Sequence, residues 1–251
     1  MKILVTGGAG FIGTNLIKRL LQEGHQVSSL DNYESGCKEN EVEGCKYHSW
    51  DIEAIFLMDK DFDLIYHLAA LSRIQPSFTN PEETYRVNTT GTLAVCKFAD
   101  KIGAKVVYAG SSSRWHNPLQ SPYACSKHMG EEIVKMYKQV YNLDAEITRF
   151  YNVYGPGEIV DGDWAAVIGI WRRQVRNKEA ITIVGDGEQR RDFTHVSDVV
   201  QANILAATKD IDGDFYGELY NVGNGINYSI NEIANSISEN QIKRPTRLVM
   251  D

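Results

Sequence analysis

Tyr123 and Lys127 stand four residues apart in Tyr-Ala-Cys-Ser-Lys, a spacing that brings a phenol and an ammonium to one face of a helix. A free tyrosine, with a pKa of about 10, is a poor base at neutral pH. A neighbouring cation favours the phenolate, and lowering the pKa by about three units takes roughly 4 kcal/mol of differential stabilisation. The spacing alone occurs by chance on helix surfaces. Its place after Ser111-Ser112-Ser113, which closes an apolar run, makes it a candidate for proton transfer, because open parallel sheets bind ligands at their carboxyl edge. A hydroxyl there would hold a reacting oxygen against Tyr123; the alternative is a serine-rich turn.

A second cluster lies at the start of the chain. Thr6-Gly7-Gly8-Ala9-Gly10-Phe11-Ile12-Gly13 follows an apolar run and opens a helical pattern. Glycines at 8, 10 and 13 satisfy GxGxxG, and those at 7, 10 and 13 the related GxxGxxG. Glycine allows the tight turn and lets backbone approach a pyrophosphate, while the helix N-terminus offers N–H groups to the anion. Asp31, 18 residues after Gly13, ends the second apolar run. A carboxylate there accepts both hydroxyls of an adenine ribose and repels a 2′-phosphate, which favours NAD over NADP. The alternative for Asp31 is a plain turn residue.

The elements that would position these groups alternate as strand and helix. Lys2–Val5, Gln26–Leu30, Phe62–Leu68 and Lys105–Ala109 read as strands, apolar enough for a sheet covered on both faces. Gly13–Glu23, Glu82–Lys101 and Pro122–Tyr141 have helical spacing. Beyond residue 150 the pattern loosens at Gly155-Pro156-Gly157. A helix over Trp164–Arg176, a strand at Ile181–Val184, and helices over Ser197–Thr208 and Ser229–Ser238 are predicted there. The expected fold is α/β: a Rossmann-like doubly wound parallel sheet with a smaller C-terminal substrate-binding lobe. Residues 1–150, with 194–224 returning to them, would bind the dinucleotide; 151–193 and 225–251 would form the lobe.

Composition narrows the class. The 251 residues are 43% hydrophobic and 24% charged, and 26 Lys and Arg against 33 Asp and Glu leave a net charge of −7. That balance argues against a nucleic-acid partner. No run of 18 apolar residues exists, so no membrane span is expected, and the first residues lack a signal-peptide core. Cys37, Cys45, Cys96 and Cys125 are scattered without metal-ligand spacing, as in reduced cytoplasmic proteins. Asp161 and Asp163 read as an exposed acidic turn, so no metal is expected. Trp164, Trp171 and Arg172-Arg173 line either a base pocket or the face of an amphipathic helix. His67 reads as a packing or hydrogen-bonding strand residue.

Taken together, the glycine turn, acidic strand end, serine cluster and YxxxK resemble the extended short-chain dehydrogenase/reductase family, in its NAD-dependent epimerase/dehydratase branch. Further segments carry the resemblance: Asp51-Ile52, His67-Leu68-Ala69-Ala70, Asn88-Thr89-Thr90-Gly91-Thr92, Arg149–Pro156 and Gly185–Phe193. The resemblance implies Ser113, Tyr123 and Lys127 as catalytic residues. It implies NAD contacts from Gly7, Gly10, Phe11, Ile12, Gly13, Asp31, Asn32, Asp51, Ile52, Leu68, Ala69, Ala70, Asn88, Ser111 and Phe150, with Tyr123 and Lys127 also on the cofactor. For a nucleotide-sugar substrate it points to Ser72, Arg73, Ser113, Asn152 and Arg191, where Arg73 stands equally as a solvated loop cation.

Two departures shape the expected activity. Where dehydrating relatives carry Asp-Glu, this chain has Arg114-Trp115, and the loop from Ser113 to Tyr123 is short. The expected function is therefore a nucleotide-sugar 4-epimerase working through a transient 4-keto sugar. The alternatives are an NAD(P)-dependent nucleotide-sugar reductase or dehydratase, or a non-catalytic cofactor-binding regulator. The family resemblance also implies a homodimer pairing through Glu82–Lys101 and Pro122–Tyr141. The chain ends soon after Pro245-Thr246-Arg247, which would shorten the nucleotide lid and leave Arg247 as a late phosphate contact.

Overall fold

The computed structural model describes residues 1–115, 117–208 and 219–244; Arg247, the expected late phosphate contact, lies outside them. In chain order the elements are β1 (Lys2–Thr6), α1 (Phe11–Gln22), β2 (Gln26–Leu30), β3 (Lys46–His48), β4 (Leu64–His67), α2 (Ile74–Thr79), α3 (Pro81–Tyr85), α4 (Gly91–Ile102), β5 (Lys105–Ser111), α5 (Pro122–Tyr141) and β6 (Ala145–Phe150). They continue as β7 (Val153–Tyr154), α6 (Val167–Arg176), β8 (Ile181–Val184), β9 (Arg190–Asp192), β10 (Thr194–His195), α7 (Val196–Thr208), β11 (Leu219–Val222), β12 (Asn227–Ser229), α8 (Ile230–Ile237) and β13 (Gln241–Arg244).

Seven strands form one parallel sheet in the order β11-β6-β5-β4-β1-β2-β3. Alternation along each strand feeds two cores. Leu4, Ile65, Val106 and Ile147 pack with Val95 and Phe98 of α4 and Val134 of α5. Ile3, Val5, Leu64 and Val107 pack with Leu16, Ile17 and Leu20 of α1 and Val196 and Val200 of α7. With both faces covered, the strands are buried nearly throughout, as the apolar runs predict. The order reverses at β1, so the turn after β1 and the segment after β4 diverge and leave a crevice at the carboxyl edge. A third core of Trp171, Ile181, Ile183, Ile230 and Ala234 holds α6, β8 and α8 together.

Several boundaries differ from the sequence reading. The stretch Glu82–Lys101 is helical throughout, as expected, but not uniformly α: α3 passes through a π-type segment at Arg86–Thr90 into α4. That segment buries Val87 and Asn88, a requirement that regular helical periodicity does not encode. Helix α1 starts at Phe11 rather than Gly13, with Gly10 as its N-cap. Helix α6 starts at Val167 rather than Trp164, because Ala166 is extended and the Trp164 carbonyl accepts a hydrogen bond from Arg73 Nε at 2.9 Å. Trp171 is fully buried and donates to the Thr182 carbonyl at 2.8 Å, so it packs the third core rather than a base pocket.

Candidate active site

The crevice opens into a cleft of about 610 Å³, within the range of small-molecule sites. Gly7, Gly10, Phe11, Ile12 and Gly13 form one end. The turn is compact: a Cβ on Gly13 would lie 2.2 Å from the Gly7 carbonyl oxygen, and Gly7 adopts φ +75° with only 2.8 Å between its notional Cβ and Ala69 N. Gly10 caps α1 without a side chain, so the first N–H groups of the helix are left for an anion. A diphosphate fits this cradle.

Asp31 ends β2 beside it. Its Oδ2 accepts the Ala9 N–H and its Oδ1 the Tyr33 N–H, both at 2.8 Å. Burial pushes its carboxyl upward, and these two backbone bonds pull it down. Each oxygen retains a lone pair for a ribose diol. Asn32, Asp51 and Ile52 complete this end. Asp51 is braced by Arg86, whose Nη1 and Nη2 reach its two oxygens at 3.0 and 2.8 Å. Hydrogen bonding to Arg86 holds Asp51 below its ordinary value.

Leu68, Ala69 and Ala70 form the floor between the two halves, and a buried polar network fixes it. Ala69 N–H donates to Thr6 Oγ1 at 3.2 Å, which leaves the threonine hydrogen for His67 Nδ1 at 2.8 Å. On the other side Thr92 Oγ1 donates to the Asn88 carbonyl at 2.7 Å and receives the His67 Nε2–H at 3.0 Å. The ring is therefore the neutral Nε2–H tautomer. Burial, reinforced by the Lys127 charge, pushes its pKa down to about 3. His67 is a structural link, as the sequence predicts.

Asn88 corrects the sequence reading. It does not line the cleft. Its Oδ1 accepts Leu71 N–H at 2.8 Å, and its Nδ2 donates to the Leu71 carbonyl and Ser126 Oγ, each at 3.0 Å. Ser126 Oγ donates in turn to the Tyr123 carbonyl at 2.9 Å. Asn88 thus acts at one remove, tying the floor to α5.

The proton-handling groups meet at the end of β5. Tyr123 and Lys127 lie in the first two turns of α5, which Ser121 caps through a 3.1 Å bond from Ala124 N–H. The hydroxyl that Tyr123 meets is Ser111 Oγ, at 3.3 Å. Ser113, the expected partner, donates to that same oxygen from its own Oγ at 2.9 Å and its N–H at 3.2 Å. The serine run is a short relay in which Ser111 is adjacent to the phenol and Ser113 stands behind it. The turn from β5 into a 3-10 helix at Ser112–Trp115 swings Ser113 to this position.

Burial pushes the Tyr123 phenol up; Ser111 and the nearby Arg73 charge pull it down. Lys127 Nζ lies 4.4 Å from the centre of the Tyr108 ring, and burial lowers its pKa to about 8 despite the charge of Glu131. Lys127 makes no hydrogen bond to Tyr123, so in this structure Arg73, rather than Lys127, is the cation acting on the phenol. No sequence spacing brings residue 73 beside residue 123; α2 does so, through the 3.1 Å bond from Tyr123 N–H to Ser77 Oγ.

Ser72, Arg73, Phe150, Asn152 and Arg191 all line the cleft, as predicted. Asn152 sits at φ 28° and donates to the Asp192 carbonyl at 2.8 Å. Trp164 also lines it, as the pocket alternative for that residue has it, and so does Asp163, which is exposed as the acidic-turn reading expects; Glu158 lines it too and was not assigned from the sequence. Glu158 Oε1 accepts from Arg172 at 2.9 Å, while its buried Oε2 has no partner among the described residues. Arg114 and Trp115 turn away from the cleft: Arg114 faces Glu131 and Glu132, and Trp115 donates to Tyr151 beneath the Arg149 guanidinium. Arg149 and Glu131 form a buried pair at 2.6 Å. Arg173 takes the Asp161 carboxylate.

The comparisons with known proteins agree with this arrangement. The family model described as NAD dependent epimerase/dehydratase family matches residues 3–223. A putative UDP-glucose 4-epimerase of Methanocaldococcus jannaschii is 34% identical over 250 residues, covering 92% of this chain and 79% of that one. UDP-glucuronic acid decarboxylase 4 of Arabidopsis thaliana is 30% identical over 95% of this chain, which spans 57% of that protein. Among solved structures, UDP-glucose 4-epimerase of Thermotoga maritima with UDP-glucose gives a TM-score of 0.90 at 29% identity, covering 98% of this chain and 86% of that one. UDP-N-acetylglucosamine 4-epimerase of Methanobrevibacter ruminantium, in complex with UDP-N-acetylmuramic acid, gives 0.87 at 31%, with 98% and 86% covered. The chain belongs to the NAD-dependent epimerase/dehydratase family.

Proposed function

We propose that the protein interconverts C4 epimers of a nucleotide-diphosphate hexose, with NAD as a recycled cofactor. The observation that carries the reading is the Tyr123–Ser111–Ser113 hydroxyl cluster, with Lys127, in the same cleft as the glycine turn and Asp31. The places at which dehydrating relatives carry their acid pair hold Arg114 and Trp115, both turned away. Similarity to UDP-hexose 4-epimerases supports the same choice and makes the uridine diphosphate sugars the first to test.

When bound, NAD supplies a reversible hydride acceptor for C4. Tyr123 takes the C4 hydroxyl proton and returns it, and Ser111 and Ser113 hold the C4 oxygen throughout. Lys127, charged below about pH 8, would hold the nicotinamide ribose. Asn152 and Arg191 would hold the substrate diphosphate.

We further propose that residues 1–150 with 194–224 form the dinucleotide half and that 151–193 with 225–251 form the substrate lobe, supported by the separate third core. A cytoplasmic homodimer is proposed through α4 and α5, which expose Leu93, Met129, Met136 and Val140; a 28.2 kDa species in light scattering would refute the dimer. No helix among the described residues is long and apolar enough to cross a membrane.

The test of the activity is NMR of UDP-glucose, UDP-galactose and their N-acetyl and uronate counterparts, with GDP and dTDP hexoses alongside. Epimer formation without net change in nicotinamide absorbance is expected. Stoichiometric NAD(P)H consumption would identify a reductase instead.

A further inference from the structure

Among the described residues, Arg73 is a cation without a counter-charge. It lines the cleft at the start of α2. Its Nε donates to the Trp164 carbonyl at 2.9 Å and its Nη1 to the Ser72 carbonyl at 3.3 Å. Both acceptors are neutral. Among the described residues Arg73 forms no ion pair and its Nη2 has no hydrogen-bond partner. Of the carboxylates that line the cleft, Glu158 pairs with Arg172 and Asp163 is exposed to solvent. Burial holds the guanidinium below arginine's usual range, the mark of a charge short of solvation. A partly desolvated cation is unfavourable unless something pairs with it. The Trp164 contact, 91 residues away in sequence, fixes the planar group in the cleft wall with Nη2 unengaged.

Its position says which part of a substrate supplies the charge. Helix α2 packs on α5 through the Ser77–Tyr123 bond, and Arg73 is the cation whose field reaches the Tyr123 phenol. On the epimerase reading, on which this inference rests, Tyr123 meets the C4 hydroxyl. In a hexopyranose the diphosphate is borne by C1, across the ring from C4, and the cofactor's own diphosphate belongs to the glycine turn. Beside C4 lie only the C3 hydroxyl and the substituent on C5. Of these, only the C5 substituent becomes anionic by a common oxidation, as the C6 carboxylate of a uronic acid. A guanidinium edge matches a carboxylate in two parallel hydrogen bonds.

We propose that Arg73 is a specificity-determining residue that binds a C6 carboxylate, and that the preferred substrate is a nucleoside-diphosphate hexuronate rather than a neutral hexose. No bond to the carboxylate is made or broken; it is held while C4 is inverted.

The test compares UDP-glucuronate and UDP-galacturonate with UDP-glucose and UDP-galactose in wild type, Arg73→Gln and Arg73→Lys, each loaded with NAD. A charge-assisted pair predicts a kcat/KM preference for the uronates of about 10- to 100-fold in wild type. Arg73→Gln also removes the charge that acts on the Tyr123 phenol, so kcat should fall for both classes of sugar alike, while the ratio of kcat/KM for uronate over neutral sugar collapses to about one, mainly through KM. Arg73→Lys, which keeps the charge and loses the planar fork, should retain part of it. Equal or better use of the neutral sugars by wild type, or an unchanged preference in Arg73→Gln, overturns the proposal and leaves the epimerase reading intact. If no sugar is turned over, titration calorimetry of the same proteins decides. Tighter binding of UDP-glucuronate that Arg73→Gln abolishes upholds the assignment while the epimerase reading fails; equal or absent binding overturns the assignment.

Discussion

The two ends of the cleft are built differently. At the dinucleotide end the polar groups are engaged with one another before any ligand arrives: Asp31 with Ala9 and Tyr33, Asp51 with Arg86, and His67 with Thr6 and Thr92. Its closest contacts are backbone against backbone, as at Gly13 and Gly7. At the sugar end, charged groups keep unengaged atoms: Arg73 Nη2 has no protein partner among the described residues, and neither has Glu158 Oε2. The first arrangement suits a ligand that never changes, recognised by a fixed surface. The second suits a ligand that varies across a family, because one side chain alters the hydrogen-bonding offer without disturbing the sheet.

Substitutions should separate these two ends, and Tyr123→Phe is expected to have the largest effect. It deletes the proton acceptor and loses only a 3.3 Å bond to Ser111, so turnover should fall about 10³-fold. Bound NAD, assayed after denaturing the purified protein, should be unchanged. Retention of more than a tenth of wild-type turnover would remove the phenol from the chemistry.

Gly13→Ala attacks the other end. The added methyl meets the Gly7 carbonyl at 2.2 Å and Gly8 Cα at 2.7 Å, and neither is the tip of a flexible side chain that can swing aside. A stability loss of about 1–3 kcal/mol is expected, together with roughly 100-fold weaker NAD binding as the turn opens. Calorimetry measures that affinity; a wild-type value would mean that the cradle yields, and would break the contrast between the two ends.

The smallest effect concerns the polar network beneath the floor. His67 titrates at about 3 when folded and near 6.5 when unfolded. Between those values the unfolded chain binds more protons. Stability is therefore fully present above about pH 6.5 and is lost as pH falls toward the folded value, by up to about 1.4 kcal/mol per unit. Relative to His67→Gln, wild type should lose roughly 2 kcal/mol more between pH 7 and pH 5 in urea unfolding. Parallel curves for the two proteins would mean that the ring is not held neutral.

What the sequence revealed follows from the range over which each feature acts. The glycine turn, Asp31 and the Tyr123/Lys127 pair are encoded within a few residues each, and the structure brings all of them to one cleft. Asn88 was legible as a motif but not as a role, because its partners at Leu71 and Ser126 lie 17 and 38 residues away. The helix over Glu82–Lys101 was legible, but its π-type segment at Arg86–Thr90 was not, because the burial of Val87 and Asn88 that goes with it is not reported by regular periodicity. The start of α6 was misplaced by a tertiary bond, Arg73 to Trp164, that no local propensity reports. The serine run gave the relay but not its order: the bend after β5, rather than the spacing, decides that Ser111 meets the phenol.

The route from the Ala69 amide through Thr6, His67 and Thr92 to the Asn88 carbonyl carries every hydrogen in one direction. Reversing it would require both threonine rotors and the imidazole tautomer to change together inside packed strands. The height of the cleft floor above the sheet is thus gauged by the lengths of four hydrogen bonds, set before a dinucleotide docks. Docking then orders little of the floor, so little of the binding free energy is lost to conformational entropy there.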